Sequence, residues 1–413
     1  MQSYLSGIED NLSPTDYQLK NSLITTIKKR FHTYGYQKTS TRAFQGYDMY
    51  ASVIGTVHKH NMIKTIDPSG DVMVLRPDVT IPITRKMAVK EGMYHRLCYV
   101  EDIFRQPNDS SQNGEFTQAG VECFGENTAE NDAEMVALAV HILQDLKFEQ
   151  FKIEIGHAGF FKELIDELPL SPQESEKLQE LIQSKNLTDI EPFLEDLYVE
   201  DHVVKAVKAI PMLYGNPQYV IETAESIILN EKMRETIESL KHVYDVLKAY
   251  EIENAIVLDL GLINHMDYYS GIIFQGYVSG YSKPVLMGGR YNNLAEQFGR
   301  SMPAIGFGCI VDDLFHAQKA AGKLPEIDQS VDVTIHYDRT GINDALPAAN
   351  RLRESGYRVM TQDTETNSKT CIPSLLTVHF ENEQSFIRHR QKQLNFQSAD
   401  ELKTLLQQEM RDN

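Results

Sequence analysis

The residues that decide the fold lie between Val257 and Leu314. They read VLDLGLINHMDYYSGIIFQGYV (257–278), MGGRYNNLAEQFG (287–299) and PAIGFGCIVDDL (303–314). In order these are a buried apolar strand, a Tyr-Tyr pair, a Gly-Gly-Arg-Tyr turn, and a glycine-rich apolar strand that runs into a helix after Val311. Upstream, VMVLRPDVT, HRLCYVEDIF, EFTQAGVECFG and FKIEIG make the chain strand-rich up to about Gly156, several of them with period-two alternation. An antiparallel sheet is the expected assembly. Ser13-Pro14 with Asp16 predicts the start of a helix whose apolar face is Leu19, Leu23, Ile27, Phe31 and Tyr34, ending near Gly35.

From about Phe160 to Glu253 the pattern turns helical and heavily charged, as in SPQESEKLQELIQ and AESIILNEKMRETIESLKHVYDVLKAY. This predicts an all-helical insertion. Lys319–Gln329, KAAGKLPEIDQ, reads as a linker, and beyond it VDVTIHY, an amphipathic helix over 345–355, a turn at Gly356 and YRVMT form a β-α-β pattern. The expected domains are therefore 1–325, with the insertion at about 160–253, and a small α/β domain at 330–413. The fold class is α+β.

A chain of 413 residues, 41% hydrophobic and 24% charged, can bury large cores. No apolar run reaches the roughly 20 residues of a membrane span, and MQSYLSGIEDNLSP lacks the profile of a signal peptide. A cytoplasmic protein with no membrane partner is expected. Cys98, Cys123, Cys309 and Cys371 show no CxxC or Cys/His grouping, so they read as buried free thiols, with no metal site. The net charge of −19 weighs against nucleic acid, whose binding rests on Lys and Arg neutralising phosphates.

Five pieces in chain order carry a resemblance: YGY at 34–36, LRPDVT at 75–80, FRQ at 104–106, FTQAGVECFG at 116–125, and the MDYY and GGRY pair at 266–291. Together they resemble the catalytic domain of histidyl-tRNA synthetases, a class II aminoacyl-tRNA synthetase fold with an antiparallel sheet and flanking helices. The resemblance implies that Asp78 and Thr80 meet the α-amino group of a bound histidine, an anionic contact worth roughly 1.5–3 kcal/mol. It also implies that Gln118 helps hold that amino group and that Glu122 takes the imidazole N–H. Gln118 and Glu122 are four apart on a predicted strand and so share a face, while Ala119, Val121 and Cys123 face the core. Tyr268 and Tyr269 alternate across their predicted strand, which leaves one of them for the pocket. The resemblance nominates Tyr269, together with Tyr291.

The departures from the family matter as much. Asn264-His265-Met266 stands where an arginine opens the family's RGLDYY motif, and Val311-Asp312-Asp313-Leu314 where a second arginine clamps the ATP tail. Asp313 sets a negative charge in that place, whereas nucleotidyl chemistry depends on positioned positive charge. The loop that holds ATP is reduced to FRQPNDSSQNGEF, with Arg105 surviving. The ligand carboxylate then needs another partner, and His265, Arg105 and Arg290 are all candidates. Residues 330–413 carry ten Lys/Arg against twelve Asp/Glu, a net of −2, and their basic cluster, Arg388-His389-Arg390 with Lys392, reads as a solvated helix face.

A histidine pocket without the ATP clamp is similar to the regulatory subunits of bacterial ATP phosphoribosyltransferase. That resemblance implies no catalytic residues, no cofactor and no tRNA. It implies a short-form catalytic subunit as partner, histidine as allosteric ligand, and a self-dimer within a hetero-octamer. The motif-one stretch STRAFQGYDMY, with Arg42 and Gln45, departs from the family at the dimer-forming segment. Two other readings stay open: an active but divergent histidyl-tRNA synthetase, and a histidine-sensing regulator of another protein.

Overall fold

The computed structural model describes residues 12–51, 53, 59–90, 94–106, 114–195, 197, 199–262, 268–322, 331–365, 373–381, 384–389 and 392–411. Helix α1 (Pro14–Thr33) buries Leu19, Leu23, Ile27 and Phe31 along one stripe. Tyr34 lies past its end, where its hydroxyl shares a hydrogen bond with His141 Nδ1 at 2.6 Å, and the chain turns through Gly35 at φ 77°. There follow β1 (Gln37–Lys38), β2 (Phe44–Gly46), α2 (Tyr47–Ala51), β3 (Lys64–Ile66), β4 (Val72–Leu75), α3 (Thr80–Ala88), β5 (His95–Phe104), β6 (Glu115–Phe124), α4 (Ala129–Asp145) and β7 (Phe151–His157). The insertion comprises α5 (Ala158–Ile165), α6 (Pro172–Gln183), α7 (Leu187–Glu195), α8 (Asp201–Ala209), β8 (Tyr214–Gly215), α9 (Pro217–Glu225) and α10 (Glu231–Ala249). It is helical apart from β8, which pairs with the next strand. After it come β9 (Ile256–Asp259), β10 (Ile272–Val278), β11 (Leu286–Arg290), β12 (Ala304–Ile310) and α11 (Val311–Ala320).

Nine of these strands form one sheet in the order β1-β5-β6-β12-β11-β10-β7-β9-β8. Its pairings are antiparallel except β1 with β5 and β7 with β9. Strands β2, β4 and β3 make a separate small sheet. Three expectations need correction. LRPDVT is mostly not strand: β4 stops at Leu75, and α3 opens at Thr80. Gly288-Gly289-Arg290 is not a turn but the body of β11. And α4 interrupts the segment read as strands, opened by Thr128, whose hydroxyl caps Asn131 N at 3.2 Å.

Chain contacts divide the protein into a unit over Asp16–Pro325 and one containing Glu326–Asn413. The second has β13 (Val331–Tyr337), α12 (Ile342–Glu354), β14 (Val359–Asp363), β15 (Ser374–Glu381), β16 (Gln384–His389), β17 (Lys392–Asn395) and α13 (Ala399–Arg411). Its sheet runs β14-β13-β15-β16-β17, over a core that includes Val333, Ile335, Leu352, Val378 and Leu402. Arg388, His389 and Lys392 sit on the β16–β17 hairpin, not on a helix face; Arg390 lies outside the described residues. Cys98, Cys123 and Cys309 are buried free thiols, and Cys371 is outside the described residues. Among the described residues no helix is long and apolar enough to cross a membrane.

Candidate functional site

Cross-strand partners share a face of a sheet, so the register assigns the site. One row runs Leu97–Glu122–Gly306–Gly289–Ile273–Gly156, and the next runs Tyr99–Gly120–Gly308–Met287–Gln275–Glu154. Glycine fills the centre of both rows, and the polar side chains lie flat over it. A Cβ at Gly306 would stand 1.9 Å from Glu122 Oε2, and one at Gly308 would stand 2.0 Å from Gln118 Nε2. One at Gly289 would stand 2.9 Å from the Tyr269 ring. The three glycines are a floor that only a missing side chain provides.

Above this floor is a cavity of about 180 Å³, far beyond the ~10–15 Å³ that a single water takes. Asp78, Thr80, Arg105, Gln118, Glu122, Tyr268, Tyr269 and Tyr291, the residues singled out from the sequence, all line it. Strand β6 supplies Gln118 and Glu122 from its centre, between β5 and β12, and Ala119, Val121 and Cys123 are fully buried on the other face. The start of α3 supplies Asp78, whose Oδ1 accepts Ile81 N at 3.1 Å, and Thr80. Tyr268 and Tyr269 precede β10 and lie outside any strand, so alternation does not apply and both rings reach the cavity, 4.7 Å apart. Tyr268 meets Tyr291 edge-on at 5.9 Å. This corrects the expectation that one tyrosine alone would face inward. The apolar wall, with Val285, Leu286 and Phe307, carried no signal in the sequence beyond its hydrophobicity.

Glu122 is the electrostatic centre. It is 1% exposed; Thr80 Oγ1 donates to its Oε1 at 2.7 Å and the Tyr291 hydroxyl donates to its Oε2. Burial raises its pKa to about 8, against the two hydroxyl donors that favour the charged form. Burial likewise lifts Asp78 to about 6, with the Ile81 amide and Arg105 pulling the other way. Gln118 Oε1 is buried with no hydrogen-bond partner among the described residues, although buried polar atoms are normally satisfied. The cavity therefore offers two acids, an amide with an open acceptor, an arginine and phenol rings. Such a set fits a small polar molecule with a cationic group and a flat ring.

Of the candidates for a carboxylate partner, Arg290 is occupied: its Nε and Nη2 donate to Asp132 Oδ1 and its Nη1 to Glu126 O at 2.8 Å. His265 and Asn264 lie outside the described residues. Asp312 and Asp313 do not line the cavity. Lys20 Nζ and Thr117 N donate to Asp312 at 2.6 and 2.8 Å, and the Tyr281 hydroxyl donates to Asp313 at 2.5 Å.

Fold and site together define a histidyl-tRNA synthetase-like protein, and the family model for histidyl-tRNA synthetase matches residues 7–314. A histidyl-tRNA synthetase from a Nostoc species superimposes with a TM-score of 0.78 over 98% of this chain and 97% of that one, at 18% identity, a likeness of fold alone. A Bacillus halodurans protein described as an ATP phosphoribosyltransferase regulatory subunit/histidyl-tRNA synthetase gives a TM-score of 0.80 at 26% identity, over 90% of this chain and 96% of that one. In sequence, the ATP phosphoribosyltransferase regulatory subunit of Oceanobacillus iheyensis is 43% identical over 94% of this chain and 95% of its own length. That of Acetivibrio thermocellus is 34% identical over 86% and 85%. The chain belongs to the family of ATP phosphoribosyltransferase regulatory subunits.

Proposed function

We propose that this cytoplasmic chain is the non-catalytic partner of a short-form ATP phosphoribosyltransferase catalytic subunit. In this reading, histidine held in the cavity inhibits the complex at the first step of histidine biosynthesis. The observation that carries the reading is Glu122, a buried carboxylate fixed by two hydroxyls at the floor of a tyrosine-walled cavity. The two hydroxyl donors leave acceptor positions on Glu122 open, and an imidazole N–H donated there favours the charged form of an acid that burial raises to about 8. The α-ammonium group meets Asp78, with Gln118 Oε1 as a second acceptor, and Tyr268 and Tyr269 flank the ring.

The sequence has no loop of the acidic-acidic-x-x-x-x-T-G-G-T kind that holds phosphoribosyl pyrophosphate, so that chemistry falls to the partner. The chain's own part is to couple two sites. Histidine favours one arrangement of the complex over another, and a coupling of roughly 1–3 kcal/mol, or 5- to 150-fold, is enough. Self-dimers within a hetero-octamer are the proposed assembly.

The test is turnover of ATP and phosphoribosyl pyrophosphate by the catalytic subunit, with and without this chain, under a histidine titration. Activity that rises with the chain and becomes histidine-sensitive, with the sensitivity lost in Glu122→Gln, is the expected result. Turnover and inhibition indifferent to the chain refute it. Histidine-dependent ATP–pyrophosphate exchange by the chain alone would instead identify a synthetase. Histidine binding that leaves the transferase untouched would identify a regulator of another protein.

A further inference from the structure

We infer that a groove where β7 begins docks the catalytic chain of the complex by seating one of its lysine or arginine side chains against Glu253; this rests on the reading of the present chain as a subunit of that complex. The groove consists of two hollows, of about 630 and 320 Å³, that share Lys152 and Asn254 and have no lining residue in common with the Glu122 cavity. Strand register creates it. Val278 and Tyr277, where β10 ends, pair with Phe151 and Lys152, where β7 begins. On the other side β9 begins only at Ile256, opposite Ile153. The single turn Glu253–Ala255 fills part of that gap, and Lys152 Nζ crosses to it, donating to Asn254 O at 2.5 Å. Phe151 and Tyr277 wall the first hollow, Tyr214 and Tyr244 the second.

The charges in the groove call for a cation. Among the described residues the charged side chains that line it are Glu149, Lys152 and Glu253, and the Lys152 ammonium is engaged by the Asn254 carbonyl. Glu253 forms no ion pair among the described residues, and its Oε2 is buried without a hydrogen-bond partner, where buried polar atoms are normally satisfied. Lys248, whose ammonium feels Glu253, is paired instead with Asp245 at 2.7 Å. A guanidinium or ammonium brought from outside supplies the missing donor. Tyrosine faces attract cations, and both tyrosines of the second hollow already do so within this chain: Lys185 Nζ stands 4.0 Å from the Tyr214 centroid and Lys248 Nζ 4.7 Å from that of Tyr244.

The surface beside the second hollow has the make-up of an interface. Met212, Tyr214 and Tyr219 are 62, 45 and 61% exposed, and Asn216 and Pro217, between them in sequence, line the hollow. Methionine and tyrosine are enriched where proteins meet, and large apolar side chains gathered on one surface mark such a place. The occupant follows from charge. A chain of net charge −19 with an unpaired acid in the groove is complementary to a basic surface, and the partner that the proposed function requires is the catalytic subunit.

The experiment is interferometric titration of the full chain against the catalytic subunit at low and high salt. Wild type is expected to bind, and more weakly at high salt. Glu253→Gln keeps the shape and removes the charge; it is expected to weaken binding roughly 10- to 100-fold and to flatten the salt dependence. Met212→Ser is expected to weaken binding about five-fold. With the catalytic subunit absent, calorimetric titration with L-histidine is expected to give one affinity for all three proteins, since groove and cavity share no residue. Glu253→Gln binding as tightly as wild type overturns the assignment. Should that variant fold poorly by circular dichroism, the exposed Met212→Ser carries the test, and undiminished binding by it overturns the assignment. So does altered self-association of the variants in sedimentation with the catalytic subunit bound as before, since the groove would then seat a second copy of this chain. If wild type does not bind the catalytic subunit, the subunit reading itself has failed and this inference falls with it.

Discussion

Raising the pH from 6.5 to 8 is expected to destabilise the unit that carries the cavity, and Glu122→Gln is expected to abolish the effect. Glu122 is buried, and its pKa rises from 4.5 to about 8 on folding, burial outweighing the Tyr291 and Thr80 hydroxyls. A raised native pKa means that the folded state binds the proton more tightly. The stabilisation is complete below 4.5, the unfolded value, and is lost as the pH climbs through about 8. Two other buried groups act lower down. Asp78 is raised to about 6, with the same sign. His157 is lowered from 6.5 to about 4 by burial, so stability gained with rising pH opposes the acids below 6.5. Between pH 6.5 and 8 Asp78 is largely titrated and His157 returns only the last part of its opposing contribution, about 0.4 kcal/mol, so Glu122 dominates. At 1.36 kcal/mol per unit, tapering as its own pKa is approached, the loss is roughly 1.5 kcal/mol. That is a large share of a typical total stability of about 5–15 kcal/mol. The chain has no tryptophan, so urea unfolding is followed by circular dichroism at pH 6.5, 7.2 and 8 for wild type and variant. Equal slopes in the two proteins would refute the assignment of the buried proton to Glu122.

Two further outcomes follow from the packing. Gly306→Ala sets a Cβ 1.9 Å from Glu122 Oε2 and 2.4 Å from the Val121 carbonyl in a central strand, so it is expected to cost about 3 kcal/mol or more by denaturant unfolding, combining overpacking with displaced hydroxyl partners. Gly46→Ala, with nothing within 4 Å, serves as the control and is expected to change little. Arg290→Met leaves Asp132, 5% exposed, as an unpaired buried acid, and is expected to cost about 3–5 kcal/mol in the same assay.

What could be read from the sequence divides along physical lines. Strand β6 shows in the sequence because Gln118 and Glu122 alternate with Ala119, Val121 and Cys123, and that alternation put Gln118 and Glu122 on one face. Helix α4 does not show, because it is buried nearly all round: Met135 to Val140 are fully covered, so its apolar run loses the period of an amphipathic helix and resembles a strand. Gly288-Gly289 suggests a turn because glycine usually marks one. Here Gly289 clears space for a tyrosine ring, a demand set by cross-strand register that no local window contains. The Tyr268–Tyr269 error has the same root, since alternation is a property of strands and these residues precede one.

The acids at the start of α11 illustrate how a site changes its use. From sequence alone, Asp313 appears only as a charge that repels polyphosphate. In the fold, Asp312 and Asp313 occupy the first turn of α11, where the helix dipole favours negative charge. Asp312 ties that turn to α1 through Lys20 and to β6 through the Thr117 amide, one residue before Gln118. Asp313 takes the Tyr281 hydroxyl from the segment that follows β10. Positions that contact a nucleotide in the synthetase reading thus brace the strand that carries the cavity's amide and carboxylate. Through Asp312 the first turn of α11 holds β6 one residue before Gln118, and through Asp313 it holds the segment after β10, so the acids that repel polyphosphate in the sequence reading carry a structural role in this fold.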